Sequence, residues 1–204
     1  PPVLIFQEAG LFPWLTVRGN VEFGLKQRGV PRGKREEIAL QQLALVRLRQ
    51  FADAWPHELS GGMKQRAAIA RALAVDPPVL LMDEPFAALD AQSRDIMHQE
   101  LQRIWAETGK TIVFVTHNVR EAACLADRVA LMTARPGRIK DLIPIPLPRP
   151  RTVSDPSLAE VAQVILDHLR DEILKVEKEE FDSGWRYEEG GVLRSAAGGL
   201  AGRC

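Results

Sequence analysis

Short unbroken apolar runs alternate along this chain with longer segments whose apolar positions recur at helical spacing. Residues 3–6, 79–82, 111–115 and 129–133 are the short runs, and each predicts a strand. Residues 79–82 are continuously apolar, as expected of a strand buried on both faces, and residues 111–115 are a second strand of that all-apolar kind. Residues 34–48 predict a helix, with Ile38, Leu45 and Leu48 near helical spacing and Glu36 and Glu37 in its first turn. Ser60 stands at an N-cap position before the Ala-rich helix 63–74, which Asp76-Pro77-Pro78 stops. In 93–107, Ile96, Met97, Leu101, Ile104 and Trp105 are expected on one helical face, closed by Gly109. Residues 119–126 read as a short helix and 158–176 as a last amphipathic one. Residues 7–13 read as a loop, and 52–59, around Pro56, as irregular.

Strand and helix thus alternate, which predicts an α/β layered domain with a mostly parallel sheet. The pattern changes after Gly137. Pro144, Pro146, Pro148 and Pro150 alternate with apolar or basic residues and predict an extended connector. Beyond Phe181 the composition is rich in Gly, Arg and Glu, and disorder is expected.

Composition narrows the function classes. The 204 residues are 46% hydrophobic, enough for one well-cored domain, and Lys+Arg and Asp+Glu balance at 27 each. Zero net charge gives no electrostatic reason to expect nucleic acid as a partner. Cys124 and Cys204 lie far apart with no metal-ligand spacing, which fits a reduced cytosolic chain. No stretch reaches the roughly 18–20 apolar residues that span a bilayer. Pro1-Pro2-Val3-Leu4-Ile5-Phe6 has no initiator Met or signal-peptide pattern, and reads as a strand cut within a domain.

Two segments carry candidate chemistry. In Val79-Leu80-Leu81-Met82-Asp83-Glu84-Pro85 an apolar strand ends in adjacent acids, where open α/β sheets bind ligands. Asp83 suits Mg²⁺ held through its water shell, and Glu84 suits a carboxylate that orients or deprotonates an attacking water. An acidic turn after a strand is the plainer alternative. In Leu59-Ser60-Gly61-Gly62-Met63-Lys64-Gln65-Arg66, glycines at a helix N-terminus expose N–H groups and the positive end of the helix dipole to an anion. An ordinary capped helix is the alternative there.

Taken together these segments resemble the ABC ATPase family. Leu59-Ser60-Gly61-Gly62 is similar to its signature, 79–84 to its Walker B strand, and Ala88-Leu89-Asp90 to its D-loop. Thr116-His117 is similar to its switch histidine, and Gln7, after the first strand, to its Q-loop glutamine. The resemblance covers residues 3 to about 174. It implies a P-loop NTPase-like core with a helical signature subdomain, and it divides the chain into five parts. These are residues 1–7 (residual core strand and Q-loop), 8–78 (helical signature part), 79–143 (catalytic core), 144–180 (connector and C-terminal helix) and 181–204 (tail).

The resemblance implies ATP and Mg²⁺ as cofactors. By it, Glu84 is the catalytic carboxylate and His117 contacts the γ-phosphate. Gln7 has a catalytic role, helping to coordinate Mg²⁺ and water and reporting on the transmembrane partner, and Asp83 serves the metal. Ser60, Gly61, Gly62 and Met63 face nucleotide held by a second, identical subunit, and Asp90 bridges the two. The phosphate-binding pattern G-x-x-x-x-G-K-[ST] does not occur in the chain. Its nearest look-alike, Gly29-Val30-Pro31-Arg32-Gly33-Lys34-Arg35, is one residue short, lacks the hydroxyl and follows Gln7, so it reads as a turn leading into a helix. Without that loop, and without two central strands of the family's sheet, the chain alone is expected to be inactive.

Phe6-Gln7-Glu8, Leu11-Phe12-Pro13-Trp14, Met63 after the signature glycines, Ala134-Arg135-Pro136-Gly137 and Leu147-Pro148-Arg149-Pro150-Arg151 resemble importers of nitrate, sulfonates and taurine. That resemblance implies transmembrane permease partners, an indirect periplasmic or lipid-anchored substrate-binding protein, no nucleic acid, and a place on the cytoplasmic face of a bacterial inner membrane. Leu11, Phe12, Trp14 and Leu15 would then line the groove for a permease helix. Ala87, where Gly is usual, and Asn118, where Asp is usual, depart from the pattern; Ala87 is expected to stiffen its loop. Two other readings remain: a soluble ABC ATPase of the repair or translation type, and a non-catalytic module that offers only its signature.

Overall fold

A computed structural model describes residues 1–182, 185–187 and 193–195. In chain order the elements are β1 (Val3–Ile5), α1 (Val17–Gln27), α2 (Arg32–Leu45), α3 (Gly61–Ala74), β2 (Val79–Asp83), α4 (Ala91–Thr108) and β3 (Thr111–Val115). They continue with α5 (Val119–Leu125), β4 (Arg128–Met132), β5 (Ile139–Pro144), α6 (Pro156–Asp182), β6 (Trp185–Tyr187) and β7 (Leu193–Ser195). Strands β1, β2 and β3 form a parallel sheet in that order, with Ile5 opposite Met82 and Asp83 opposite Val115. The α/β class and the parallel sheet are as expected.

The sheet is lined with apolar side chains on both faces but covered on one. Ile5, Leu80 and Met82 are buried and join the core formed with helices α1 to α4. The alternate residues Leu4, Val113 and Val115 are 45%, 48% and 52% exposed. The expectation that residues 79–82 are buried on both faces is therefore corrected, because Val79 and Leu81 are only half-buried. Successive side chains point to opposite sides of a strand, and among the described residues helices pack on only one side.

The sequence reading missed α1. Thr16 caps it, its hydroxyl accepting from the Gly19 amide at 3.1 Å, and Val17, Val21 and Leu25 are buried one turn apart. Gly19 and Gly24 lower its helix propensity and hide it from composition. Gly24 is there for contact: a Cβ at that position would lie 2.7 Å from the Val75 side chain. Helix α2 begins two residues earlier than expected and ends at Leu45, because Arg47 turns into the left-handed region at φ 56°. Gly29, at φ 73°, makes the look-alike loop a turn into α2, as read.

In α4, Met97, Leu101 and Ile104 are buried as expected, but Ile96 is 56% exposed. A helix advances about 100° per residue, so Ile96 rotates off the stripe, and His98 and Gln102 occupy the buried flank instead. Gly109, at φ 61°, closes the helix.

The strand β5 was also missed. It pairs antiparallel with β4 and ends at Pro144, where the connector was expected to begin. A second core gathers Ala123, Cys124, Val129, Leu131, Ile145, Leu158 and Ile165 around α5, β4 and α6. Arg151 fixes the proline segment to it: its guanidinium donates to the carbonyls of Ala123 at 2.9 Å and Ala126 at 2.7 Å. Helix α6 runs on to Asp182, and β6 and β7 pair antiparallel, where no regular structure was expected. The rest of that tail, including Cys204, lies outside the described residues. Cys124 is a buried free thiol.

Candidate functional site

The parallel register brings three chain segments to one end of the sheet. Residues 6–7 leave β1, Glu84 leaves β2 and residues 116–118 leave β3, all at their carboxyl ends, where open α/β sheets bind ligands. Glu84 is the sharpest feature. Its backbone is left-handed at φ 44°, a conformation that strains a non-glycine residue by about 1–2 kcal/mol. Its amide donates to the Val115 carbonyl at 3.0 Å, and its carbonyl accepts from the Ala87 amide at 3.1 Å. The turn so made aims the carboxylate across to β3, where Glu84 Oε1 lies 3.0 Å from His117 Nδ1. His117 is largely exposed and Glu84 about one-third so. Asp83, beside them, is exposed at the strand end.

Beneath this pair lies a polar layer. Glu121 of α5 is buried; Oε1 meets His98 Nε2 at 2.7 Å and Oε2 accepts from the Thr116 hydroxyl. Burial opposes the charge on Glu121, but hydrogen bonds from His98 and Thr116, with the charges of His98 and Arg94, outweigh it and hold the carboxyl below its ordinary range. Thr116 Oγ1 also accepts from the Asn118 amide at 3.0 Å. Asn118 caps α5, its Oδ1 accepting from Arg120 N at 3.1 Å and Glu121 N at 3.3 Å, as an aspartate would. Glu84, Ala87, Arg94, Thr116, His117 and Glu121 border one cleft of about 60 Å³.

The remaining sequence-derived candidates sit around this centre. Gln7 is exposed just past β1. Ser60 caps α3, its hydroxyl accepting from Met63 N at 3.3 Å. Gly62 has open space where a side chain would be, whereas a Cβ on Gly61 would lie 3.2 Å from Leu89. The signature turn thus packs against the turn after β2. Asp90 caps α4 by accepting from the Ser93 amide at 2.9 Å. Hydrogen bonds from the Ser93 side chain and amide hold its carboxyl below the ordinary range. Ala87 has an ordinary backbone and needs no glycine.

Sequence reasoning missed Arg94, His98 and Glu121. The available signal was a run of polar residues, Arg94 and His98, one turn apart on a helix otherwise read by its apolar stripe. Among the described residues no group of three or more His, Cys, Asp or Glu side chains could hold a metal by itself, and no helix is long and apolar enough to cross a membrane.

The sequence is similar to known proteins. Residues 3–87 match the family described as ABC transporter. The chain is 53% identical over 172 residues to an uncharacterized ABC transporter ATP-binding protein of Methanocaldococcus jannaschii, covering 84% of this chain and 64% of that one. It is 52% identical over 145 residues to the nitrate import ATP-binding protein NrtD of Synechocystis, covering 71% and 54%. It is 46% identical over 164 residues to the aliphatic sulfonates import ATP-binding protein SsuB of Bacillus licheniformis, covering 79% and 62%. The chain thus spans between 54% and 64% of the length of these relatives. Residues 3–87, which hold the serine–glycine turn that opens α3 and the acid-ended strand β2, thus belong to the ABC transporter family.

Proposed function

We propose that this chain forms part of the ATP-hydrolysing subunit of an importer for small anions of the nitrate, sulfonate or taurine kind. The contact between Glu84 and His117, 3.0 Å apart at the carboxyl end of the sheet, carries the reading. A carboxylate there orients an attacking water and takes its proton, and a neighbouring imidazole steadies the water against the γ-phosphate. Gln7 reaches the same end from β1. Asp83 is a hard-oxygen donor exposed beside Glu84, which fits Mg²⁺ held through water and nucleotide oxygens. When bound, Mg²⁺ neutralises the phosphate charge.

A second copy of the chain completes the nucleotide site. Ser60, Gly61, Gly62 and Met63 offer the open N-terminus of α3 to phosphate held by that copy, and Asp90 lies at the seam. The 204 residues carry no phosphate-cradling loop of their own. The short chain therefore hydrolyses no ATP unless a segment bearing such a loop is joined to it.

The permease meets the loop ahead of α1. Trp14 there is 68% exposed, while Asn20 fastens the backbone beneath, accepting from Phe12 N at 2.7 Å and donating to the carbonyls of Phe12, Leu15 and Thr16. The assembly works at the cytoplasmic face of the membrane, and a separate binding protein delivers the anion. The names of the nitrate and sulfonate relatives support this substrate class.

The test compares ATP hydrolysis by the 204-residue chain with that of a version extended through the upstream coding sequence, each with and without Glu84→Gln. Hydrolysis by the extended form alone, reduced at least about 100-fold by Glu84→Gln, is expected. Hydrolysis indifferent to Glu84→Gln would sink the reading.

A further inference from the structure

Glu84 and His117 are each carried by a short connecting segment, and α4 fastens both segments. Arg94, in its first turn, reaches back over the turn that follows β2. Its Nη2 donates to the Leu89 carbonyl at 2.8 Å and reaches the Ala87 carbonyl at 3.5 Å, and its Nε donates to the Phe86 carbonyl at 3.3 Å. One guanidinium thus draws three carbonyls of a five-residue turn towards a single plane, which only the fork of an arginine does.

One helical turn later, on the same side of α4, stands His98. It is 2% exposed, packs against the Phe86 ring with centroids 5.8 Å apart, and holds Glu121, which in turn holds Thr116. Arg94 also acts on Glu121 through its charge. A helix with side chains at i and i+4 thereby grips the segment before Asp90 with one and the segment around His117 with the other.

These groups lie behind the reacting pair rather than in it. The hydrogen bonds that Arg94 makes from Nε and Nη2 all go to backbone carbonyls, and Glu121 spends both oxygens on His98 and Thr116. We infer that Arg94 and Glu121 are positioning residues that lock the turn 86–90 to the segment 116–118, so that Glu84, His117 and Asp90 move as one unit. The inference rests on the proposed hydrolytic role of Glu84. A closing partner that presses on Asp90 would then be felt at the Glu84–His117 contact through α4, without passing through the sheet.

Two readouts test it. In the 204-residue chain, the ring resonances of His117 are recorded by NMR for Arg94→Ala, Glu121→Gln and Glu84→Gln, with circular dichroism as the check on folding. Arg94→Ala and Glu121→Gln are expected to move the His117 signals in the direction that Glu84→Gln moves them. In the extended chain, each is expected to lower kcat about tenfold with KM for ATP changed by less than about twofold, and the double variant to lose little more than the worse single one. If Glu121→Gln does not fold, Thr116→Val cuts the same link by removing one hydroxyl. Folded variants with unmoved His117 signals, unchanged kcat, or losses that multiply in the double variant would overturn the inference. If the extended wild type hydrolyses no ATP, the proposed function fails instead, and the His117 signals still decide whether the link exists.

Discussion

The two faces of the sheet β1–β3 share a composition and differ in fate. On one face Ile5, Leu80 and Met82 are 4%, 0% and 1% exposed beneath the helices. On the other, Leu4, Val113 and Val115 are 45%, 48% and 52% exposed, and among the described residues no element covers them. Hydrophobicity alone does not distinguish these faces, because a continuous apolar run is compatible with burial on either side. What distinguishes them is the third dimension: α1, α3 and α4 supply partners for one face only. The site sits where this asymmetry ends, at the carboxyl edge.

The largest effect should come from testing that asymmetry directly. Leu80→Ala leaves a void in a filled core and is expected to cost about 3 kcal/mol, read from the urea midpoint. Val113→Thr keeps the β-branched shape and changes only the open face, so about 0.5 kcal/mol is expected. Equal losses would mean that the second face is packed in solution, and the comparison would fall.

Sequence reading reached the site more readily than the fold around it. The acids after residues 79–82, the serine cap of α3 and the histidine after β3 are local signals, each written in a few neighbouring residues. The left-handed turn at Glu84 was not legible, because nothing in Asp83-Glu84-Pro85 requires φ 44°; it accompanies a hydrogen bond from the Glu84 amide to the Val115 carbonyl, on a strand about thirty residues away. Helix α1 was hidden by its two glycines, and Gly24 makes sense only against Val75. Arg94, His98 and Glu121 carry no local signal of their contacts, which exist only where α4 meets α5 and the turn after β2. Strand β5 was masked by the prolines that follow it, and its partner β4 decided the matter.

The helical side of the comparison can be sharpened at Gly24. A methyl group there would meet Val75 Cγ1 at 2.7 Å, closer than side chains approach without displacement. Helix propensity favours alanine over glycine by about 1 kcal/mol, so a gain in stability would follow if α1 had room. Overpacking opposes it, and Gly24→Ala is expected to cost about 2 kcal/mol net. Val75→Ala should rescue it, making the double variant more stable than the Gly24→Ala single. A stabilised Gly24→Ala would show that α1 and Val75 have room between them for a methyl group.

A smaller effect than that of Gly24→Ala concerns the buried polar layer, which belongs to the covered side. Glu121 has its carboxyl held below the ordinary range, since hydrogen bonds from His98 and Thr116 overcome the burial that opposes its charge. The folded state therefore binds the Glu121 proton less readily than the unfolded chain. Such a group contributes stability above its unfolded value, about pH 4.3, and loses it as the pH falls through its lower folded value. Glu121→Gln keeps the shape and removes the charge, so it should be less stable than wild type by about 1–2 kcal/mol at pH 7. That gap should narrow steadily below about pH 4.5, as wild type loses the contribution the variant never had. Paired urea titrations at pH 7, 5 and 3.5 read it. A gap that stays constant with pH would mean that Glu121 acts by shape and hydrogen bonding alone, and that the charge beneath His117 does no more for the fold than an amide would.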